Sequence, residues 1–489
     1  MLDPVDGLTR LTSDFRLDRL LTVAREARRE LYLVGGCLRD LLIGRPVVEV
    51  DLATDDDPFD LARRTARRLG GAFVPLDTQF GIARVVVKTR SGGAIQYDLA
   101  RFKADRFEDD LRRRDFTINA LGLAVSDAVA GDLSRLHDPC DGRGDLYRRT
   151  VRACYAGAFD DDPLRMLRGF RIAARLGFHI EAGTLALMGP RAFTLDRVAP
   201  ERITEEVLRI LSVSDSASPL CEIRAMGLLD RVFPRDPGQP DRSAPAIPAL
   251  GSRWGAAPAP AEEACSPGPE EPATGPTSAF PVLSRLEALL GATPPPPAVV
   301  VFAEYLEAPT CYGSQTREIL KLGALLLDVE TGASGGGPSG PADRLSRMRL
   351  SAKAQATLEA VVQAGLTAPW RSGEVEPDDL SIYRFFRDQA PHGPGVVLVG
   401  LCAEASRQGV RSLETLVRAF AERRATVIDP PRLLDGRAVM ELTGMDPGPG
   451  VGEILEALRE AQVAGRVRAL EEATDLVRRL GGSPGGERR

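Results

Sequence analysis

Apolar and polar positions alternate in short runs along the first third of the chain. Four runs read as strands, 31–34, 47–52, 82–88 and 94–99, with helical stretches between them, so residues 1–150 predict an α/β unit. From 151 to 233 the apolar residues recur at helical spacing, which predicts an all-helical segment. Between 234 and 280 the pattern collapses into Pro, Ala, Gly and Glu. Such a stretch buries too little apolar surface to offset its ordering, and it predicts a disordered linker. Helical periodicity resumes over 281–423, broken by the loop "TGASGGGPSGPAD", and again over 429–481 before a Gly-rich tail. No internal repeat is visible, and 489 residues are too many for one core.

Composition adds exclusions. With 43% hydrophobic and 27% charged residues the chain is ordinary for a protein working in water. No run approaches the roughly 18 apolar residues that a membrane span needs. The start, MLDPVDGLTR, has neither a basic region nor an apolar one, so no export signal is expected. Seven scattered cysteines form no CxxC pair, which fits reduced thiols in a cytoplasm. A net charge of -6 argues weakly against a nucleic-acid partner. Arginine is nevertheless dense over 101–114 and 165–178, which reads either as a local basic track or as solvated helix faces.

The stretch "LYLVGGCLRDLLIGRPVVEVDLATDDD", 31 to 57, carries the first candidate chemistry. Residues two apart on a strand point the same way, so Glu49 and Asp51 are expected on one face. Paired carboxylates repel unless a cation sits between them, and Mg2+ suits, being held by one or two carboxylates plus substrate phosphates. Gly35 and Gly36 let the backbone approach a triphosphate at a helix start, and Arg39 adds a charge-assisted contact. Taken separately, these features also fit a plain strand–turn–helix–strand with exposed acids. Their order, GG-x-L-R-D and then acid-x-acid after about ten residues, resembles the head of the class II tRNA nucleotidyltransferase and poly(A) polymerase family.

That resemblance implies an α/β, polymerase-beta-like nucleotidyltransferase head, then an all-α neck, a degenerate HD-like helical domain and a helical C-terminal tail. Glu49 departs from the family's commoner Asp; its extra methylene moves the carboxylate by roughly 1 Å, against Mg2+–oxygen distances near 2.0–2.1 Å. Asp98, in "AIQYDLARF", is expected on a later strand as a third catalytic acid. "RRRDFTINALGL", 112–123, resembles a family motif in which Arg114 and Asp115 meet the nucleotide's sugar and phosphate; read structurally, Asn119 is a cap. "DPCDGRGDL", 138–146, resembles the motif entering the neck, with conformational acids and glycines.

In "DDDPLRMLRGFRIAARLGF", 160–178, Asp162 caps a helix and Arg165, Arg168 and Arg171 recur every three residues near one face. A carboxylate beside a guanidinium presents an acceptor and donors in one plane, mimicking a base edge. The resemblance assigns this segment, with Asp162 and Arg165 as readers, to selecting CTP and ATP. "APERITEEVLRIL", 199–211, resembles the closing neck motif.

"LKLGALLLDVETG", 320–332, resembles an HD-domain segment in which Leu327 stands where histidine is usual. With three histidines in the whole chain, a metal-free structural domain is expected, with Asp328 a surface or capping acid. "LLDGRAVMELTGMDPGPGVGEILEALREAQVAGRV" resembles the RNA-binding tail, its helix start at Gly450-Val451-Gly452 facing either a phosphate or nothing. The function so implied is addition of the 3′-terminal CCA to tRNA from CTP and ATP with Mg2+. Addition of C, A or poly(A) alone, or RNA binding without catalysis, are the alternatives.

Overall fold

A computed structural model of the chain describes residues 4–78, 81–89, 93–102, 104–233, 279–332, 348–367 and 377–481. The expected linker and the loop within 331–343 lie almost wholly outside the described residues. Phe280, at the linker's end, is fully buried and belongs to the helical core that follows. The described residues form two compact units, 4–206 with 222–233, and 207–221 with 279–481.

The first unit is built on a six-stranded sheet. Its strands are β1 (Leu31–Val34), β2 (Val50–Thr54), β3 (Ala72–Asp77), β4 (Ile82–Lys88), β5 (Ala94–Arg101) and β6 (Gly122–Ala124). The order is β3-β4-β5-β2-β1-β6, with β2 and β5 parallel and the other neighbours antiparallel. Alternation sorts the faces. Leu33, Leu52, Leu99 and Ala83 are register partners in one row, and Val50, Tyr97 and Val85 in the next; all are buried. This face packs against the helix Pro58–Leu69, and Tyr97 Oη donates to the Phe15 carbonyl at 2.9 Å. The helix is set by sequence: Asp57 accepts from Phe59 N–H at its start, Pro58 fixes the first turn, and Gly70 ends it at φ 68°.

The expected strand 47–52 begins only at Val50 and runs on to Thr54. On one side β1 ends at Val34 opposite Asp51 and the chain turns away at Gly35, so residues 47–49 lack a partner there; on the other side β5 takes up the chain only from Val50. Strand β3 carries no period-two pattern in the sequence because it is an edge interrupted by Pro75 with almost no buried face. The neck also holds a small ladder, β7 (Thr150–Val151) with β8 (His179–Ile180), too short to show a period.

The second unit is helical. Its last three helices, Gly436–Thr443, Pro449–Val463 and Leu470–Leu480, enclose a cluster of Val439, Val451, Ile454, Leu458, Ala473 and Val477. The expected neck, 151–233, divides between the units. Residues 207–221 join the second because Glu287 accepts from the Ser216 N–H (2.8 Å) and hydroxyl (2.5 Å). Lys321 Nζ, in turn, donates to the Val213 carbonyl (2.7 Å) and to Glu287 (2.9 Å).

Asp328 is a buried cap. Its two oxygens accept from Val282 and Leu283 N–H, each at 2.9 Å, at the start of the helix Pro281–Gly291. Burial pushes its carboxyl up to about 6, although both amides and Arg285 act the other way. A raised pKa stabilises the fold below the unfolded value and loses that contribution as pH rises through about 6. Chemical denaturation at pH 4 and 8 should therefore show the native chain losing roughly 3 kcal/mol relative to Asp328→Asn.

Candidate active site

The polar face of the sheet carries one row across four strands: Val34, Asp51, Asp98 and Arg84, each the register partner of the next. Asp51 sits where β1 gives way to the glycine turn. Gly35 has φ 75° and ψ -130°, a conformation that favours glycine. A Cβ there would lie 3.3 Å from Arg114 Nη1 and 3.7 Å from Asp51 Oδ2, so the bare backbone is what lets the guanidinium and the carboxylate stand together.

Burial, with the like charges of Glu49 and Asp98, pushes Asp51 up to about 6, against the pull of Arg114 and Arg39. Glu49 is exposed and lies just before the strand, so it reaches the site from a loop. Asp98 differs from expectation more sharply. Both its oxygens accept from Arg84, at 2.7 Å each, so this acid is paired beside the centre, while its charge still acts on Asp51. Among the described residues no group of three or more acids, histidines or cysteines is arranged to hold a metal ion. Two oxygen donors crowded by negative charge do fit a Mg2+ ion that takes its other ligands from phosphates and water. Arg114 fits an anionic ligand too: its Nε is buried without a hydrogen-bond partner, while Nη2 reaches Asp110 at 3.4 Å.

Arg39 is buried rather than free. It follows Gly36, folds back along the helix Gly36–Leu42, and donates from Nε to Asp40 (2.8 Å) and from Nη1 to Asn119 (2.8 Å). The structural reading of Asn119 as a cap is corrected: its side chain joins Arg39 to Asp115, donating to the latter at 3.2 Å. Burial alone would raise the Asp115 carboxyl, but Arg168, the Phe116 N–H, Asn119 and Arg165 together hold it below the usual range. The 138–146 motif is conformational. Asp138 accepts from Gly142 N–H at 2.6 Å, and a Cβ on Gly142 would come 2.3 Å from the Thr117 carbonyl.

On the neck, Asp162 accepts from Leu164 N–H (3.2 Å) and pairs with Arg202 (3.0 Å). Arg165 does not meet it. Its guanidinium donates to the Tyr155 hydroxyl (3.3 Å) and to the carbonyls of Ala158 (3.3 Å) and Arg113 (3.2 Å). Arg168 and Arg171 were expected at the nucleotide but are held by acids: Arg168 by Asp115 and Glu206 at 3.5 Å each, Arg171 by Glu206 at 2.7 Å. Sequence reasoning missed Arg84, Arg202 and Glu206. Only Glu206 left a signal, an acid in the apolar stripe between Ile203 and Ile210.

A mixed sheet presenting paired acids beside a glycine turn, with Arg39 buried and Arg114 half-buried next to them, defines a nucleotidyltransferase head. Residues 31–152 match the model "Poly A polymerase head domain", and 177–235 match "Probable RNA and SrmB- binding site of polymerase A". The chain is 32% identical over 454 residues to the CC-adding tRNA nucleotidyltransferase of Geobacter sulfurreducens, covering 93% of each. To the A-adding tRNA nucleotidyltransferase of Deinococcus radiodurans it is 28% identical, covering 91% of this chain and 94% of the relative. In fold it resembles a CCA-adding enzyme in complex with CTP, at TM-score 0.62 and 18% identity over 97% of both chains. The chain belongs to the class II tRNA nucleotidyltransferase and poly(A) polymerase family and is an enzyme of that nucleotidyltransferase type.

Proposed function

We propose that the protein adds or repairs the 3′-terminal CCA of tRNA in the cytoplasm, joining CMP and then AMP units from CTP and ATP and releasing pyrophosphate. The observation that carries the reading is Asp51, crowded by Glu49 and Asp98 and flanked by the buried, unpaired Nε of Arg114 beside Gly35. Glu49 and Asp51 would hold Mg2+, which when bound activates the attacking terminal hydroxyl and stabilises the leaving pyrophosphate. The bare turn at Gly35 and Gly36 accepts the triphosphate, and Arg39 stiffens that turn from behind. Arg114 and Asp115 meet the sugar and its phosphate. Asp162 and Arg165 meet the base, which requires Asp162 to exchange Arg202 for the incoming nucleotide. Arg168 and Arg171 act through the acids they hold. The division into head (1–150), neck (151–233), linker (234–280), HD-like domain (281–423) and tail (429–481) assigns catalysis to the head and RNA support to the neck and tail.

A second reading, addition of the two C residues only, is favoured by the full-length likeness to a CC-adding relative. One incubation separates them: purified protein, Mg2+, tRNA lacking its last three nucleotides, and each labelled NTP alone or combined. Two C residues followed by one A, and then arrest, is the expected result. Arrest after CC supports the second reading, long A tracts indicate poly(A) synthesis, and binding without incorporation overturns both.

A further inference from the structure

We propose that Asn119 is a positioning residue that joins the phosphate side of the site to its sugar side and thereby sets discrimination between ribose and deoxyribose. The inference rests on the assignment of Asp115 to the sugar made above. Asn119 closes the short turn Thr117–Asn119, which lies beside the glycine turn. Its carbonyl lies 3.8 Å from where a Cβ of Gly35 would be, and Gly35 N–H donates to the Leu121 carbonyl at 3.1 Å.

The side-chain amide then spans two charges of opposite sign. Its Oδ1 accepts from Arg39 Nη1 at 2.8 Å and its Nδ2 donates to Asp115 Oδ1 at 3.2 Å. Chemistry fixes the orientation, because a guanidinium only donates and an ionised carboxylate only accepts. Both neighbours have further partners: Arg39 Nε donates to Asp40 at 2.8 Å, Asp115 Oδ1 also accepts from the Phe116 N–H at 2.8 Å, and Asp115 Oδ2 pairs with Arg168 at 3.5 Å. The amide therefore keeps a cation and an anion apart while bonding to both. Without it, Asp115 Oδ1 keeps only the Phe116 N–H and nothing separates it from Arg39, so the carboxylate is drawn toward that guanidinium and away from a sugar hydroxyl. Aspartate here would keep the contact to Arg39 but set a second carboxylate against Asp115; serine has one polar atom and cannot span both.

The test compares kcat/KM for CTP with that for dCTP, on tRNA lacking CCA, in the full chain and in Asn119→Ala and Asn119→Asp. Asn119→Ala should lower the CTP:dCTP ratio about tenfold, the size of one lost orienting contact. Asn119→Asp should lower kcat/KM for CTP further than Asn119→Ala does. Circular dichroism and melting temperature check folding, and Asn119→Ser gives the same ratio should the alanine variant not fold. A ratio unchanged in these variants, with both nucleotides reduced equally or not at all, overturns the proposal. Asp115→Asn separates the two failures: a ratio unchanged there sinks the sugar assignment itself. Absence of incorporation by the native chain sinks the proposed function instead.

Discussion

Asp51→Asn is expected to lose at least about a thousandfold in nucleotide incorporation while the first unit stays folded and tRNA binding is nearly unchanged. Nothing nearby can take over from this carboxylate. Asp98, its register partner, has both oxygens committed to Arg84, and Glu49 stands alone on a loop before the strand. The same substitution should leave the ligand-free protein as stable or more so. Ionised Asp51 is disfavoured by burial and by two like charges, which pushes it up to about 6. Its stabilising contribution is complete below the unfolded value and is lost as pH rises through about 6, so the gain from asparagine is greatest near pH 8. Thermal unfolding at pH 8 measures it. A residue whose removal abolishes activity and does not lower stability is kept for its chemistry.

Arg165→Lys should lower kcat/KM for the preferred nucleotide by about a hundredfold and narrow its margin over UTP and GTP. The guanidinium is oriented by three acceptors, the Tyr155 hydroxyl and the carbonyls of Ala158 and Arg113. Those contacts hold a planar fork, which matches two acceptors on a base edge at once. A lysine ammonium keeps the charge and loses the fork. A well-placed bidentate contact is worth about 1–3 kcal/mol of discrimination, so selectivity should fall with rate. Competition of the four nucleotides at equal concentration reads it directly; a variant that slows every nucleotide equally would make Arg165 a structural residue.

The parts of this site legible in the sequence were those defined by local spacing. Gly35, Gly36 and Asp51 share one short stretch, and the period-two alternation of β4 and β5 predicts both strands. Spacing also misled where it depended on a partner: residues 47–49 alternate like a strand, but β1 stops at Val34 and the ladder to β5 begins only at Val50. The arginines of the helix Arg165–Leu176 repeat regularly, yet their roles are set by acids elsewhere. Glu206 takes Arg171 from 35 residues away, Arg202 takes Asp162 from 40, and Arg84 takes Asp98 from 14. A guanidinium on an exposed stripe has the same pattern whether it faces a ligand or an internal carboxylate. The neck's division between two units was hidden for a similar reason, since the Ser216–Glu287 contact spans 71 residues.

The proposed chemistry requires Glu49 and Asp51 to share one cation at the triphosphate. Crystals of the protein grown with CTP and Mn2+ in place of Mg2+, measured at the manganese edge, locate that cation directly. Anomalous density within bonding reach of Asp51, Glu49 and the triphosphate, with Asp98 still on Arg84, is the predicted result. Manganese lodged elsewhere, or the two carboxylates turned apart with the nucleotide bound, would contradict it.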